Sequence, residues 1–285
     1  MKKIIYLITL FLFSVYSFGA SNEKFDLKYS FKSNETFNQN IKVKVVGTYG
    51  EEATTTVMDL SYNVKVKDVK NNYDLEFKYN KISTQMSMAG EEMAFSSEKP
   101  YKKDSQTMED MMGNMMNTVF KNMTNQPFNI IIDKKGNIVE IKNLDNLFNH
   151  VTDNLDEYFD EDEKEAYREE MKSSFKENFV DESMSNSFVV FPNNPVAIGD
   201  TWDGSVNING KDGTYTYKLI KADKKQWVIE VAGNSTSDFG GEYLEGELKG
   251  TYTFDAKNGW LLEAKITENL SNEYGVKYDT EVTIK

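Results

Sequence analysis

The sequence has no cysteine, a single histidine and four prolines in 285 residues. Without cysteine there is no disulfide to staple a fold, no thiol nucleophile and no sulfur to carry a lipid at an N-terminal cysteine. The one histidine, His150, lies beside Phe148 and Val151 with no serine or carboxylate at triad spacing, so it reads as a structural hydrogen-bonding residue. No glycine-rich phosphate loop and no dinucleotide fingerprint occur. Positive charge is also short. Lys and Arg number 33 against 46 Asp and Glu, a formal charge of −13. Such a surface repels phosphate backbones and anionic headgroups, which disfavours nucleic acid as a partner. The run Asp153–Glu163 holds seven acidic residues in eleven. It lacks the alternation and the bend glycine of a calcium loop, so it reads as a solvated helix start. No catalytic set, metal or cofactor is implied, and the expectation is a protein that is not an enzyme.

Long apolar runs are absent except at the beginning. Lys2 and Lys3 precede the apolar run Ile4–Phe18, and small residues follow. That order, in a segment too short to span, predicts a secretory signal peptide over 1–19 cut before Ala20. The expected mature chain is exported to the periplasm or beyond, is not lipid-anchored and does not span a membrane.

What is present is alternation. Thr55–Lys67 and Tyr73–Thr84 alternate apolar and polar residues around the turn formers Asp68–Asn72, which predicts a hairpin. Phe128–Ile132 and Asn137–Lys142 flank Asp133-Lys134-Lys135-Gly136, with glycine where positive φ is needed. From Thr201 onward six alternating stretches follow one another with short turns, the pattern of an antiparallel sheet with one wet face. Two helices are expected between the strand-rich halves. One opens at Asn143 with Leu144, Leu147, Phe148 and Val151 on a face. The other covers about Asp160–Phe179, with Tyr167, Met171, Phe175 and Phe179 at four-residue steps.

The segment Asp104–Met123 departs from the strand pattern. Met108, Met111, Met112, Met115, Met116, Val119, Phe120 and Met123 fall at helical spacing, with Asp104 or Ser105 as cap and Asn114 and Asn117 off the stripe. Leaving eight such side chains wet would forgo on the order of 10–20 kcal/mol, so the stripe meets a sheet, a ligand or a partner. Methionine is unbranched and polarisable and adapts to irregular apolar shapes. Copper(I) would ask for cysteine or clustered histidine beside the thioethers, and neither occurs. Gly113, in mid-helix, costs about 1 kcal/mol relative to Ala and suggests close approach of another backbone.

The chain repeats itself. Asn34-Glu35-Thr36-Phe37 matches Gly199-Asp200-Thr201-Trp202. Tyr62–Asp68 with Tyr73–Phe77 matches Tyr217–Asp223 with Trp227–Val231. Phe128–Glu140 matches Tyr252–Glu263. The methionine helix has no counterpart in the second copy, so it reads as an insertion. The expected layout is a first β module over 20–142 containing the helix 104–123, a helical connector over 143–190 and a second β module over 191–285. The fold class is mainly β: two related curved antiparallel modules, incomplete-barrel-like, with about three inserted helices.

Phe191–Trp202 (FPNNPVAIGDTW), the KDSQTMEDMMGNMM helix and Gln126–Ile141 (QPFNIIIDKKGNIVEI) together resemble an uncharacterised family of exported Bacteroidota proteins, a domain of unknown function that implies no catalytic residues. The layout of curved strands closed by helices is similar to lipoprotein-carrier folds, which enclose an apolar cavity. Two functions follow as expectations. One is a non-catalytic envelope protein that holds a hydrophobic or lipid-like ligand between the sheet and the methionine helix. The other is a β-rich interaction or scaffold module with a packed core and a protein partner in the cell envelope.

Overall fold

The structure is a computed structural model that describes residues 23–50, 52–88, 90–99, 107–153, 155–174, 189–208, 211–239 and 242–285. The predicted leader 1–19, the expected cap candidates Asp104 and Ser105, and Phe175 and Phe179 lie outside the described residues. The strands are β1 (Thr36–Tyr49), β2 (Glu52–Val69), β3 (Tyr73–Met88), β4 (Glu91–Ser96), β5 (Pro127–Ile132) and β6 (Ile138–Lys142), then β7 (Thr201–Ile208), β8 (Lys211–Ala222), β9 (Gln226–Phe239), β10 (Glu242–Asp255), β11 (Leu261–Ser271) and β12 (Val276–Ile284). The helices are α1 (Met108–Met123), α2 (Leu144–Thr152) and α3 (Glu161–Ser174). All twelve strands join one antiparallel sheet, ordered β6-β5-β3-β2-β1-β12-β11-β10-β9-β8-β7, with β4 paired to the far half of β3. The sheet is open and is not closed into a barrel.

The same backbone bonds occur twice along the chain. Asn34 (φ 66°) donates its N–H to the Val66 carbonyl, and Val66 donates back to Glu35. Gly199 (φ 98°) donates to Leu219, and Leu219 donates back to Asp200. The Glu35 carboxylate accepts from the Lys32 N–H at 2.8 Å, as the Asp200 carboxylate does from Ala197 at 2.9 Å. Tyr73 faces Ile132 as Trp227 faces Phe254. Pairing also corrects the sequence match. Phe37 opposes Val64 and Trp202 opposes Tyr217, so the partner of Tyr217 is Val64, not Tyr62, two residues from where the aromatic identity places it.

One long strand of the second half, β10, is represented in the first half by two short ones. β4 pairs with Ser83–Met88 of β3 and β5 with Tyr73–Lys78. Between them Ser97 donates to the Ile82 carbonyl and Asn125 to that of Tyr79. The α1 segment is thus spliced into a strand, leaving and rejoining the ladder at Ile82 and Tyr79.

The sheet is strongly curved, and two turns show it. Tyr29 donates its N–H to Lys134 in the β5–β6 turn, and Ser30 donates to Asn258 in the β10–β11 turn, both at 2.9 Å. Those turns are six strand spacings apart in the sheet order, roughly 29 Å along the sheet. Consecutive residues bridge them, so the sheet curls until these ends meet. Leu27, Tyr29 and Phe31 plug the narrow end, and one apolar cluster runs from Phe128 on β5 to Tyr215 on β8. Phe191 stands against Tyr29 at 4.8 Å and Phe254 at 5.2 Å between ring centroids. Leu147, Phe148 and Val151 of α2 belong to the same cluster.

Candidate functional site

Partnered residues in an antiparallel sheet project from the same face, so the pairing defines rows across the inner side. The row Ile229-Tyr252-Ala264-Ile284-Ile41 is buried throughout. One step from the narrow end, the row reads Ile266-Val282-Val43-Met58-Thr84-Phe95. A further step out it reads Leu248-Glu268-Thr280-Val45-Thr56-Met86-Met93. In the middle of these two rows Val282, Val43, Met58, Thr280, Val45 and Thr56 are only half-buried, and Met86 is 38% exposed. The inner face is therefore packed where the sheet is pinched and open in the middle of these two rows, with a second buried cluster of Leu244, Leu270 and Val276 beyond them on the same face. The result is a half-open trough floored by valine, threonine and methionine.

Helix α1 flanks the trough beyond β3 and β4 and packs on α2. Its N-cap is Thr107, whose hydroxyl accepts from the Asp110 N–H at 3.1 Å. Val119 is buried, and Met115, Phe120 and Met123 pack on the main core. Met116 is half-buried, Met111 and Met112 are 48% and 49% exposed, and the Met108 side chain lies outside the described ones. The stripe thus splits along its length, anchored at its C-terminal half and open at its N-terminal half. The expected polar face is not all wet, since Asn114 and Asn117 are buried. Asn117 accepts from the Ser96 N–H at 2.7 Å, a group on the free edge of β4. Covering that edge demands a polar side chain where helical periodicity alone points the methionines.

Gly113 does not mark a close backbone approach. A Cβ there meets only the rim of the Phe95 ring at 3.9 Å, an ordinary contact. Gly113→Ala is therefore expected to stabilise the protein by about 1 kcal/mol through helix propensity. Chemical denaturation checks it, and a loss of stability would show that the helix sits closer to β4 than described.

Two polar groups interrupt the trough. The Thr84 hydroxyl is buried and has no hydrogen-bond partner among the described residues. Glu268 accepts a hydrogen bond from the Ser235 hydroxyl. Burial holds its carboxyl above the usual carboxylate range, and the Ser235 bond opposes that shift. Among the described residues no Lys or Arg pairs with Glu268. Sequence reading passed over both, because a threonine in a strand and one of 46 acidic residues carry no local signal.

The acidic run is taken up in local contacts. Asp160 and Glu163 cap each other's backbone N–H at the start of α3, at 2.9 and 3.0 Å. Buried Lys164 binds Asp156 and Glu161, both at 2.5 Å. His150 is half-buried on α2. A groove of 710 Å³ over β9–β12 is lined by Glu230, Lys249, Lys265 and Glu281, charges of both signs that suit no apolar ligand. No helix among the described residues is long and apolar enough to cross a membrane.

Fold and site together define an open, curled antiparallel-sheet protein with a half-open apolar inner face flanked by a methionine-rich helix. The chain belongs to the family of unknown function DUF6263, whose model matches residues 70–261. No curated protein matches the sequence. Among solved structures the fold is similar to a chain described as "Lipid-protein interactions in lipovitellin", with a TM-score of 0.52 and 7% identity, over 90% of this chain and 25% of that one. The present chain thus spans a quarter of that protein chain, and at this identity the likeness is one of fold alone.

Proposed function

We propose that the protein is a non-catalytic binding protein of the cell envelope that takes the apolar part of a lipid-like molecule into the trough. The carrying observation is the pair of half-exposed inner rows around Val43, Val45, Val282 and Met58, in a sheet whose pinched end is fully packed. On this reading α1 is a wall rather than a full lid. Met111, Met112 and Met116 give it a deformable surface, while Met115, Val119, Phe120 and Met123 hold it in place. The similar fold of the lipovitellin chain, whose structure is described by its lipid–protein interactions, lends support. The leader-like residues 1–19 and the absence of cysteine support export without a lipid anchor.

A fluorescent long-chain fatty probe tests the proposal. Saturable binding is expected, weakened at least tenfold by Val45→Glu, which places a charge on the trough floor without touching the buried row. Equal binding by the variant, or none by the natural protein, would contradict it. A second reading, docking of an envelope protein, is favoured by Tyr49 and Tyr274 at the tips of the β1–β2 and β11–β12 hairpins, 69% and 78% exposed. It predicts recovery of a partner that Tyr49→Ser releases while probe binding stays unchanged.

A further inference from the structure

We propose that the trough selects an amphipathic molecule with a cationic amine head, seated on the Glu268 carboxylate with its chain running along the floor toward Met86. The proposal rests on the trough being an apolar binding face. Glu268 stands on the inner row, flanked on its own row by Leu248 and Thr280. Ile266 and Leu270, two residues away on the same strand, are buried on the same side. A mostly buried carboxylate without a cation is costly, because one hydroxyl replaces only part of its lost hydration. A glutamine at this position would keep the bond to Ser235 at no such cost. The carboxyl group thus stands at the end of an apolar floor, and an alkylammonium group supplies both the cation that stabilises its ionised form and the hydrogen-bond donors.

The dimensions agree. From Glu268 on β11 the row crosses β12, β1 and β2 to Met86 on β3, four strand spacings or about 19 Å. Half-buried Thr280, Val45 and Thr56 line that path, with Val282, Val43 and Met58 beside it. Ion pairing at a site shielded by low-dielectric walls is stronger than the same pair at a wet surface, so the head group should govern selectivity.

Calorimetric titration of the full chain with dodecylamine and dodecanol, both below their aggregation concentrations, tests this. Dodecylamine is expected to bind at least tenfold more tightly. Glu268→Gln should abolish that preference and leave dodecanol affinity unchanged, and Glu268→Asp should keep part of it. Equal affinity of the natural protein for amine and alcohol overturns the proposal without recourse to any variant, and leaves the apolar trough standing. Binding of neither compound overturns the trough itself. Lysophosphatidylethanolamine, titrated in parallel, separates a lipid headgroup from a free amine as the source. Preference for it or for dodecylamine over dodecanol supports the assignment.

Discussion

Tyr29→Ala is expected to lower the unfolding free energy by about 4–5 kcal/mol, near the upper range for truncating a buried aromatic residue. Tyr29 is almost fully buried. Its ring packs on Phe191 and Phe31, with centroids 4.8 and 5.5 Å away. Its hydroxyl donates to the Val189 carbonyl at 3.3 Å, and its own carbonyl accepts from the Tyr73 hydroxyl at 2.9 Å. Removing the ring opens a cavity at the place where two distant ends of the sheet are drawn together, so the loss is not confined to one strand. Tyr29→Phe keeps the packing and is expected to cost only about 1 kcal/mol, the usual worth of one hydrogen bond. Urea denaturation of the two variants separates the contributions. Similar small losses for both would show that the narrow end is held by something other than this residue.

Gly259→Ala is expected to cost about 3 kcal/mol, and Gly275→Ala about 1 kcal/mol. Both glycines have positive φ, 76° and 85°, where an L side chain pays a backbone penalty. Only Gly259 also lies against another strand of chain. A Cβ there would sit 2.7 Å from the Lys28 carbonyl oxygen and 3.2 Å from the Tyr29 Cα, and backbone cannot rotate away. At Gly275, in the β11–β12 hairpin, nothing lies within 4 Å. The difference between the two substitutions therefore isolates the contact between the β10–β11 turn and the N-terminal segment. Equal losses in denaturation would mean that the turn does not grip the segment.

Much of the sheet was legible in the alternation of the chain. Strands β2, β3 and β7 to β12 each carry a period-two pattern and a turn signal, and the Asp-Lys-Lys-Gly and Asp-Ala-Lys-Asn-Gly turns mark equivalent hairpins. The curl was not legible. It depends on Tyr29 and Ser30 reaching two turns more than a hundred residues away from each other in the chain, and no local pattern encodes such contacts. The repeat counterpart of Tyr217 is Val64 rather than Tyr62, because Val64 opposes Phe37 as Tyr217 opposes Trp202, and such cross-strand register is not written within one strand. Shared aromatic identity then pointed to the wrong alignment.

The candidate site was legible only in outline. Helical spacing placed eight apolar residues on one stripe of α1, but spacing fixes which side chains share a face and not which face meets the protein. The free edge of β4 settled the orientation by binding Asn117. The trough itself is assembled from β11, β12, β1, β2, β3 and β4, one or two residues from each, so it appears only when cross-strand register is known. Glu268 stands out for the same reason: its strand alternates like the others, and only its place among Leu248, Ile266 and Leu270 makes a carboxylate unusual.

The central claim is that an apolar chain lies along the two open inner rows. Methyl-region NMR of protein labelled at valine and methionine, titrated with dodecanol, tests it most directly. The predicted result is saturable shifts at Val43, Val45, Val282, Met58 and Met86, with the methyls of buried Val64 and Val66 unmoved. Shifts confined to Val139 and Val190, which lie outside the trough, or no saturable shifts at all, would contradict it.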